Sequence, residues 1–297
     1  MNTNNPLARM VAKIRNDSSP LGMIGLVIVA IIVLLAIFAP WIVPHNPFAI
    51  DATKRLIPPF WVEGGSTTYI LGTDHVGRDI LSRLIYGGRV SLLVGLFAVI
   101  ISGAIGLLLG LLSGYLGGTW VDHVMMRIVD AILAIPTLLL VLVAVVVFEP
   151  GLITLILVIG LTSWPQYTRL VRGEVLSVKE REYVQLAQTL GTSHTYLLSR
   201  HILPNVVSSF IVVATIGIAS AILTESSLSF LGLGVQPPDI TWGGMLNDGR
   251  NYIATSWWIA TFPGLAITVT VLAITFVGDW LRDTLDPRLK RGGDGND

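Results

Sequence analysis

Long apolar runs separated by polar stretches dominate the pattern along this chain. The first run, 21–43, contains no charged residue and is longer than a buried strand or a typical core helix. A hydrocarbon layer of about 30 Å needs roughly 20 apolar residues in a helix, so runs of this length predict transmembrane helices. We predict an all-α polytopic membrane protein with six transmembrane helices, at 21–43, about 91–115, 131–148, 152–167, 206–231 and 257–280.

The composition agrees with a membrane protein. The 297 residues are 53% hydrophobic and 13% charged, and the mean hydropathy is +0.73. Soluble domains have about a quarter of their residues charged. The net charge is zero, which gives no sign of a nucleic-acid partner. The chain has no cysteine, which excludes disulfides and thiolate chemistry.

The predicted spans divide the chain into five parts. A polar cytoplasmic segment, 1–20, precedes the first span, 21–43, which is too long for the apolar region of a cleaved signal peptide. A periplasmic segment, 44–89, follows, and helical spacing over Asp79–Tyr86 predicts a short helix on the outer surface. The remaining parts are a five-helix core, 90–281, with cytoplasmic loops at 116–130 and 168–204 and an outer loop at 232–256, and a charged cytoplasmic tail, 282–297.

The distribution of basic residues predicts the orientation. With a cytoplasmic N-terminus, most of the 19 lysines and arginines lie on the cytoplasmic side, as the positive-inside rule requires. A basic cluster at 78–89 opposes this weakly, but it lies in a long segment and is balanced by Asp74 and Asp79. We therefore predict that both termini are cytoplasmic.

Three glycines in the second predicted span recur at every fourth position, Gly106, Gly110 and Gly114. A glycine inside a helix costs about 1 kcal/mol relative to alanine. Small residues at this spacing let two membrane helices approach closely. Glycine is also simply commoner in membrane helices, but the strict register favours a packing face. We predict that this stripe packs against another helix.

Residues for catalysis or ion coupling are scarce. The sequence has no G-x-x-x-x-G-K-[ST], no H-E-x-x-H and no G-x-S-x-G motif, and its five histidines are scattered, so we predict neither an enzyme nor a metal site. Glu225 is the one acid within an otherwise apolar run. Because a charge at the bilayer centre costs about 2.5–3.5 kcal/mol, Glu225 either faces protein or water or lies near the outer interface. A stand-alone channel or carrier, the alternative class, would have only Glu225 for coupling.

The stretch 180–204 is the longest between residues 130 and 232 that cannot lie in hydrocarbon. Its pattern predicts a short amphipathic helix, a turn at Gly191, a second short helix through Arg200, and Pro204 in the first turn of the fifth span. Such a loop can receive force from another protein or rest on the membrane, and the pattern alone leaves both open. The apolar stripe of the first helix consists of Tyr183, Leu186, Ala187 and Leu190.

The same stretch resembles the EAA signature of ABC-importer permeases. In that signature, EAA is followed by three residues, a glycine, nine residues, an isoleucine, one residue and Leu-Pro. Gln185, Leu186 and His201 depart from the pattern, whereas the third-position alanine, the glycine and Leu-Pro match it. The residues at or beside the signature are Glu182, Gln185, Leu186, Ala187, Gly191, His201, Ile202, Leu203 and Pro204.

Two further stretches resemble the peptide/nickel branch of these permeases. They are Leu71–Asp79, and Glu225–Pro238 with the Trp-Gly pair at 242–243. The three motifs occur in the right order, and the resemblance covers nearly the whole chain and is strongest to the C-type permeases of dipeptide importers.

The resemblance implies a MetI-like, type I permease fold in a bacterial inner membrane. It implies a homologous permease as partner, two ATP-binding subunits that each take the loop of one permease (180–204 in this chain), and a soluble binding protein that delivers substrate from outside. ATP and Mg would be used by the partner subunits, and this chain would bind no cofactor. The substrate would be a dipeptide or short peptide, with oligopeptides and nickel chelates left open. We predict an outer gate or binding-protein contact at Glu225, Gln236, Pro237, Pro238 and Trp242.

Overall fold

A computed structural model describes residues 20–285 of the chain. The described chain is helical, and its only β pairing is an isolated bridge between Thr73 and Asp79. Longer connections without a long helix occupy 43–79 and 231–241. The helices are α1, Pro20–Ile42; α2, Ile80–Tyr115; α3, Trp120–Leu133; α4, Thr137–Phe148; α5, Leu152–Lys179; α6, Glu182–Thr189; α7, His194–Phe230; α8, Trp242–Gly249; and α9, Trp258–Leu285.

Within the described range, four helices are long and apolar enough to cross a membrane: α1, α2, α7 and α9. The pair α3 and α4, bent by 83° at the break between them, is a fifth candidate. α5 has 28 residues, of which only the first half is apolar. Each of the six predicted spans therefore falls in a different helix, and the all-α polytopic class is confirmed. The predicted segments 1–20 and 282–297 lie mostly outside the described residues.

The short surface helix predicted at Asp79–Tyr86 is wrong. These residues form the first turns of α2, where the Asp79 carboxylate caps the helix by accepting a hydrogen bond from the Ser82 backbone N–H at 3.0 Å. Ile80 and Arg83 are buried. The polar residues that suggested a surface are buried because they are paired: Arg83 Nη2 lies 3.3 Å from Asp248 Oδ2.

The glycine stripe of α2 faces α5. A Cβ atom added to Gly106 would lie 2.3 Å from Cβ of Tyr167, and one added to Gly110 would lie 2.6 Å from Cβ of Val171. A Cβ atom added to Gly114 would lie 2.6 Å from Cβ of Val175. From Gly106 to Gly114 the backbone of α2 lies so close to α5 that no side chain fits between them. The two helices therefore pack as one unit.

The segment predicted as a loop, 116–130, is mostly helix α3. Its charged residues suggested a solvated loop, yet Asp122 is buried and receives both guanidinium hydrogen bonds of Arg172, at 2.6 and 2.7 Å. Pairing satisfies the carboxylate inside the protein, so the helix can form. Pro136, which has no backbone N–H, stands immediately before α4 at the break between α3 and α4.

The second short helix predicted to end at Arg200 is not separate from the fifth span. It is the first part of α7, which continues for 37 residues to Phe230. Leu197–Ile202 form a π-helical turn within it, and Pro204 follows at the start of the regular α-helix. A wider turn before a proline accommodates its missing N–H and its ring without ending the helix.

Candidate functional site

Helix α6 is attached to two long helices by a small apolar cluster. Only Glu180 and Arg181 separate it from the end of α5. The Val184 side chain is fully buried and packs with Val178 of α5 and Leu197 of α7. Burial of a valine contributes roughly 1.5–3 kcal/mol, so α6 is held against the ends of both helices.

The turn after α6 requires glycine. Gly191 has a φ of +75°, in the left-handed region that glycine adopts without strain. Its N–H donates to the Gln188 carbonyl at 3.0 Å, and the Thr192 N–H donates to the Ala187 carbonyl at 3.2 Å. These two hydrogen bonds form a Schellman motif, which satisfies the last carbonyls of α6. The turn is therefore fixed by the backbone, as the sequence predicts for Gly191.

The predicted apolar stripe of α6 faces away from the protein. Tyr183, Leu186 and Leu190 are exposed by 43%, 62% and 77%. Of the stripe, only Ala187 is partly buried, and the residue that faces the protein is Val184. Sequence reasoning missed Val184 because an eight-residue helix allows two apolar faces. The outward face is a compact apolar surface at the end of the bundle.

Asn205 joins α6 to α7 and was not predicted. Its Oδ1 accepts a hydrogen bond from Arg181 at 3.0 Å, and its Nδ2 donates to the His201 carbonyl at 2.7 Å and to the Tyr183 hydroxyl at 3.3 Å. One amide therefore links the beginning of α6 to the first turns of α7. Its position directly after the Leu-Pro of the signature is the one sequence signal that points to it.

The remaining signature residues divide between contacts and surface. The His201 ring lies between Tyr183 and Tyr196, with ring centroids 5.9 and 5.7 Å away. Ile202 is fully buried, and Gln185 Nε2 donates to the Glu180 carbonyl at 3.3 Å. The others are Glu182 and Pro204, which are exposed, and Leu203, which is half-buried.

Helix α7 connects α6 to the opposite end of the bundle. At 1.5 Å per residue, its 37 residues span about 55 Å. It begins at His194, two residues after the Schellman turn, and ends at Phe230, beside the connection that leads to α8. A continuous helix therefore joins the turn after α6 to the connection that leads to α8.

At that far end, Glu225 is fully buried among hydroxyl groups. Its Oε1 accepts a hydrogen bond from Ser229 Oγ at 2.7 Å, and its Oε2 accepts from Ser91 Oγ of α2 at 3.3 Å. The Trp242 backbone N–H reaches the same Ser91 hydroxyl at 3.4 Å. Glu225 therefore faces protein, where it joins α2, α7 and the start of α8.

Trp242 is the main anchor of α8. Its ring is buried against α2, where a Cβ atom on Gly88 would lie 2.8 Å from Trp242 Cζ2. The indole Nε1–H donates to the Leu84 carbonyl at 2.8 Å. The tryptophan thus fixes the outer connection to the first half of α2.

We expect Trp242→Phe to lower the free energy of unfolding by about 1–3 kcal/mol, because the indole hydrogen bond is lost inside the protein. Thermal melting of the purified protein in detergent measures this as a lower midpoint. Trp257→Phe is the matched control, since Trp257 is 39% exposed. Equal midpoints for the two variants would contradict the anchoring role.

Only part of the predicted outer contact surface is accessible. Glu225 and Trp242 lie beneath the surface, so neither touches a soluble protein in this conformation. Gln236, Pro237 and Pro238 are exposed, and Gln236 Nε2 donates to the Gly234 carbonyl at 3.0 Å. A contact with a binding protein therefore stays a prediction for Gln236–Pro238 alone.

The structure brings one histidine close to two carboxylates, which the sequence did not suggest. Ligand atoms of Asp74, His75 and Asp248 lie within 4.8 Å of one another. Arg78 pairs with both carboxylates, at 2.6 Å from Asp74 and 2.9 Å from Asp248, and Arg83 also approaches them. With two guanidinium groups already in place, the cluster is an ion-pair network that ties the 43–79 connection to α8.

A cavity of about 760 Å³ opens between α5, α7 and α9, next to α6. Its lining mixes charged and hydroxyl side chains with apolar ones. Because Arg181 and Asn205 contribute to it, the cavity adjoins the α6 attachment. Its charged and serine residues are Arg169, Glu174, Ser177, Arg181, Ser208, Ser209 and Arg282.

Comparison with known proteins identifies the family. The model of the binding-protein-dependent transport system inner membrane component family matches residues 106–291, which is more than half of the chain. The chain belongs to this family. It is therefore a multi-pass inner-membrane component of a transport system that works with a binding protein, and not a stand-alone carrier. The model of the N-terminal transmembrane domain of oligopeptide transport permease C also matches, over residues 18–59.

Several relatives of this inner membrane component are similar over almost their full length. A di/tripeptide transport system permease protein DppC from Pseudomonas aeruginosa is 44% identical over 96% of this chain and 93% of the relative. The dipeptide transport system permease proteins DppC of Haemophilus influenzae and Escherichia coli K12 are 45% and 47% identical, over 91% of this chain and 91% and 89% of theirs. A permease chain of an inward-facing MetNI methionine ABC transporter matches with a TM-score of 0.57 and 18% identity, over 68% of this chain and 96% of that one. It confirms the MetI-like fold.

Proposed function

We propose that this chain is the C-type permease subunit of an ATP-driven ABC importer for dipeptides or short peptides. Relatives named for dipeptide or di/tripeptide transport, at 44–47% identity over nearly the whole chain, support this substrate class. The peptide/nickel motif at Leu71–Asp79 immediately precedes α2. The motif at Glu225–Pro238 covers the end of α7 and most of the connection to α8.

The single observation that carries the coupling role is the outward apolar face of α6. Tyr183, Leu186 and Leu190 are exposed, although the backbone beneath them is fixed by the Gly191 turn and by Asn205. Exposed apolar side chains on a rigid support are typical of a surface that another protein covers. We propose that an ATP-binding subunit covers it.

The partners follow from this assignment. A homologous permease would pair with this chain, two ATP-binding subunits would dock on the two α6 helices, and a soluble binding protein would meet the exposed Gln236–Pro238 surface. ATP and Mg would be bound by the ATP-binding subunits, with no cofactor on this chain. The α6 end and both termini would be cytoplasmic.

The cavity beside α6 fits this chain's share of the translocation path. It opens at the α6 end between α5, α7 and α9, and its guanidinium, carboxylate and hydroxyl groups suit a zwitterionic peptide. Closure of the ATP-binding subunits would move α6. α7 would transmit the movement to the outer end of the bundle, where Glu225 and Trp242 both contact Ser91.

Reconstitution tests the function. We expect that the complete complex in proteoliposomes takes up dipeptide only with ATP, and that dipeptide with its binding protein stimulates ATP hydrolysis. Omitting this chain should abolish uptake. ATP-independent movement of dipeptide by this chain alone would contradict the proposal.

Oligopeptides are a second candidate substrate, favoured by the match of residues 18–59 to the N-terminal domain of oligopeptide transport permease C. The binding protein that stimulates the complex distinguishes the two. Stimulation by binding protein loaded with peptides of five or more residues, and not with dipeptide, would establish this candidate.

A further inference from the structure

Helix α3 carries an apolar stripe that points away from the protein. Trp120, Val124 and Ile128 follow one another at every fourth position and are exposed by 76%, 51% and 48%. Residues at this spacing share one face of a helix. The cationic side chain Arg127 is exposed beside the stripe, as is His123.

The opposite face of α3 is clamped to the bundle. Asp122 holds Arg172 of α5 with two hydrogen bonds, and it accepts further bonds from Ser113 Oγ at 2.5 Å and the Gly118 N–H at 3.1 Å. Val129 is fully buried on the same side. A bidentate pair with two additional donors fixes the rotation of the helix about its axis. The stripe is therefore held outward, since the other face cannot turn.

The bend between α3 and α4 gives the direction of α3 in a bilayer. α4 is apolar at nearly every position and packs against α5 through Val141 and Val145, so it lies beside α5 within the hydrocarbon, although its 12 residues, about 18 Å long, do not cross the layer alone. α3 makes an angle of 83° with α4. α3 therefore lies nearly parallel to the membrane plane. It lies at the α6 end of the bundle, because its partner Arg172 is near the last turns of α5.

We infer that α3 lies in the lipid headgroup layer, with Trp120, Val124 and Ile128 inserted among the acyl chains. The apolar surface continues from Ile128 over the exposed Ile135 at the break, onto the exposed face of α4 that carries Leu139. An amphipathic helix with this composition inserts about 5–10 Å below the headgroup boundary. The neighbouring Arg127 can reach lipid phosphates, as long basic side chains do at an interface.

This position has a mechanical consequence that goes beyond the proposed transport. The Asp122–Arg172 pair ties α3 to α5 about two helical turns before α5 ends at Lys179, which is followed by α6. Because α3 is held at the membrane surface, it fixes the position of α5 along the membrane normal. The distance of α6 from the bilayer is fixed with it. Lipid contacts of α3 therefore fix the position of α6 relative to the membrane.

Spin labelling tests the inference in the assembled complex. The chain has no cysteine, so Trp120→Cys, Val124→Cys and Ile128→Cys each create a single labelling site on it, in a complex whose partner chains carry no reactive cysteine. Nitroxides at the three positions should be accessible to oxygen and protected from a water-soluble nickel chelate. The matched control, His123→Cys, lies on the same helix outside the stripe and should be accessible to the chelate.

Two results would overturn the inference, and neither depends on the transported solute. Protection from both oxygen and chelate would mean that a protein partner covers the stripe. Accessibility to the chelate at all three positions would mean that the stripe faces water. ATP-dependent uptake by each labelled complex shows that the label has not unfolded the chain.

Discussion

Gly191→Glu is expected to leave the chain in the membrane and to uncouple ATP hydrolysis from uptake. Gly191 has a φ of +75°, where a residue with a Cβ atom costs roughly 1–2 kcal/mol. No atom lies within 4 Å of the position of an added Cβ, so the effect comes from the backbone and not from a clash. The Schellman turn would rearrange and shift the exposed face of α6. Uptake per ATP hydrolysed should fall about tenfold, the factor that corresponds to about 1.4 kcal/mol.

The matched control at the same position is Gly191→Asn. Asparagine adopts the left-handed region far more readily than glutamate. The asparagine variant should keep most of the uptake, in proteoliposomes where both uptake and hydrolysis are measured. Normal coupling in Gly191→Glu would show that the geometry of this turn does not matter for transport.

Gly110→Leu is expected to prevent stable packing of α2 on α5. An added Cβ atom alone would lie 2.6 Å from Val171 Cβ and 2.8 Å from the Thr168 carbonyl oxygen. Since the second of these is backbone, the two helices have to separate, and overpacking of this kind costs about 1–3 kcal/mol or more. The yield of assembled complex and its melting midpoint in detergent should both fall.

Gly173→Leu is the control for that substitution. Gly173 lies in α5, the same helix that receives the stripe, but nothing lies within 4 Å of an added Cβ atom. The same change there should leave yield and melting midpoint close to those of the unmodified chain, because leucine is the better helix former. An equal loss in both variants would mean that the stripe is not a packing face.

The features that the sequence predicts well are those set by local chemistry. Gly191 is predicted to form a turn because glycine adopts positive φ without strain and because it follows an amphipathic helix. The register of Gly106, Gly110 and Gly114 likewise predicts close packing without saying which helix is the partner. Long apolar runs locate the spans for the same reason, since each is decided by its own residues.

The features that the sequence misses depend on pairing between distant residues. Asp122 reads as a loop residue until Arg172, 50 residues later, is placed beside it. Arg83 reads as a surface residue until Asp248 joins it, 165 residues away. A charged side chain with a buried partner behaves as an interior residue, and the sequence does not show the partner. For this reason the sequence predicts a loop where α3 forms and a surface helix where α2 begins.

Photo-cross-linking tests directly whether an ATP-binding subunit docks on α6. A photoreactive phenylalanine analogue in place of Leu186, which is 62% exposed, should cross-link to the ATP-binding subunit in the assembled complex. The same analogue in place of Trp41, 76% exposed at the opposite end of the bundle, should not. Cross-links from position 186 to lipid or to the homologous permease alone, in a complex that still hydrolyses ATP, would contradict the claim.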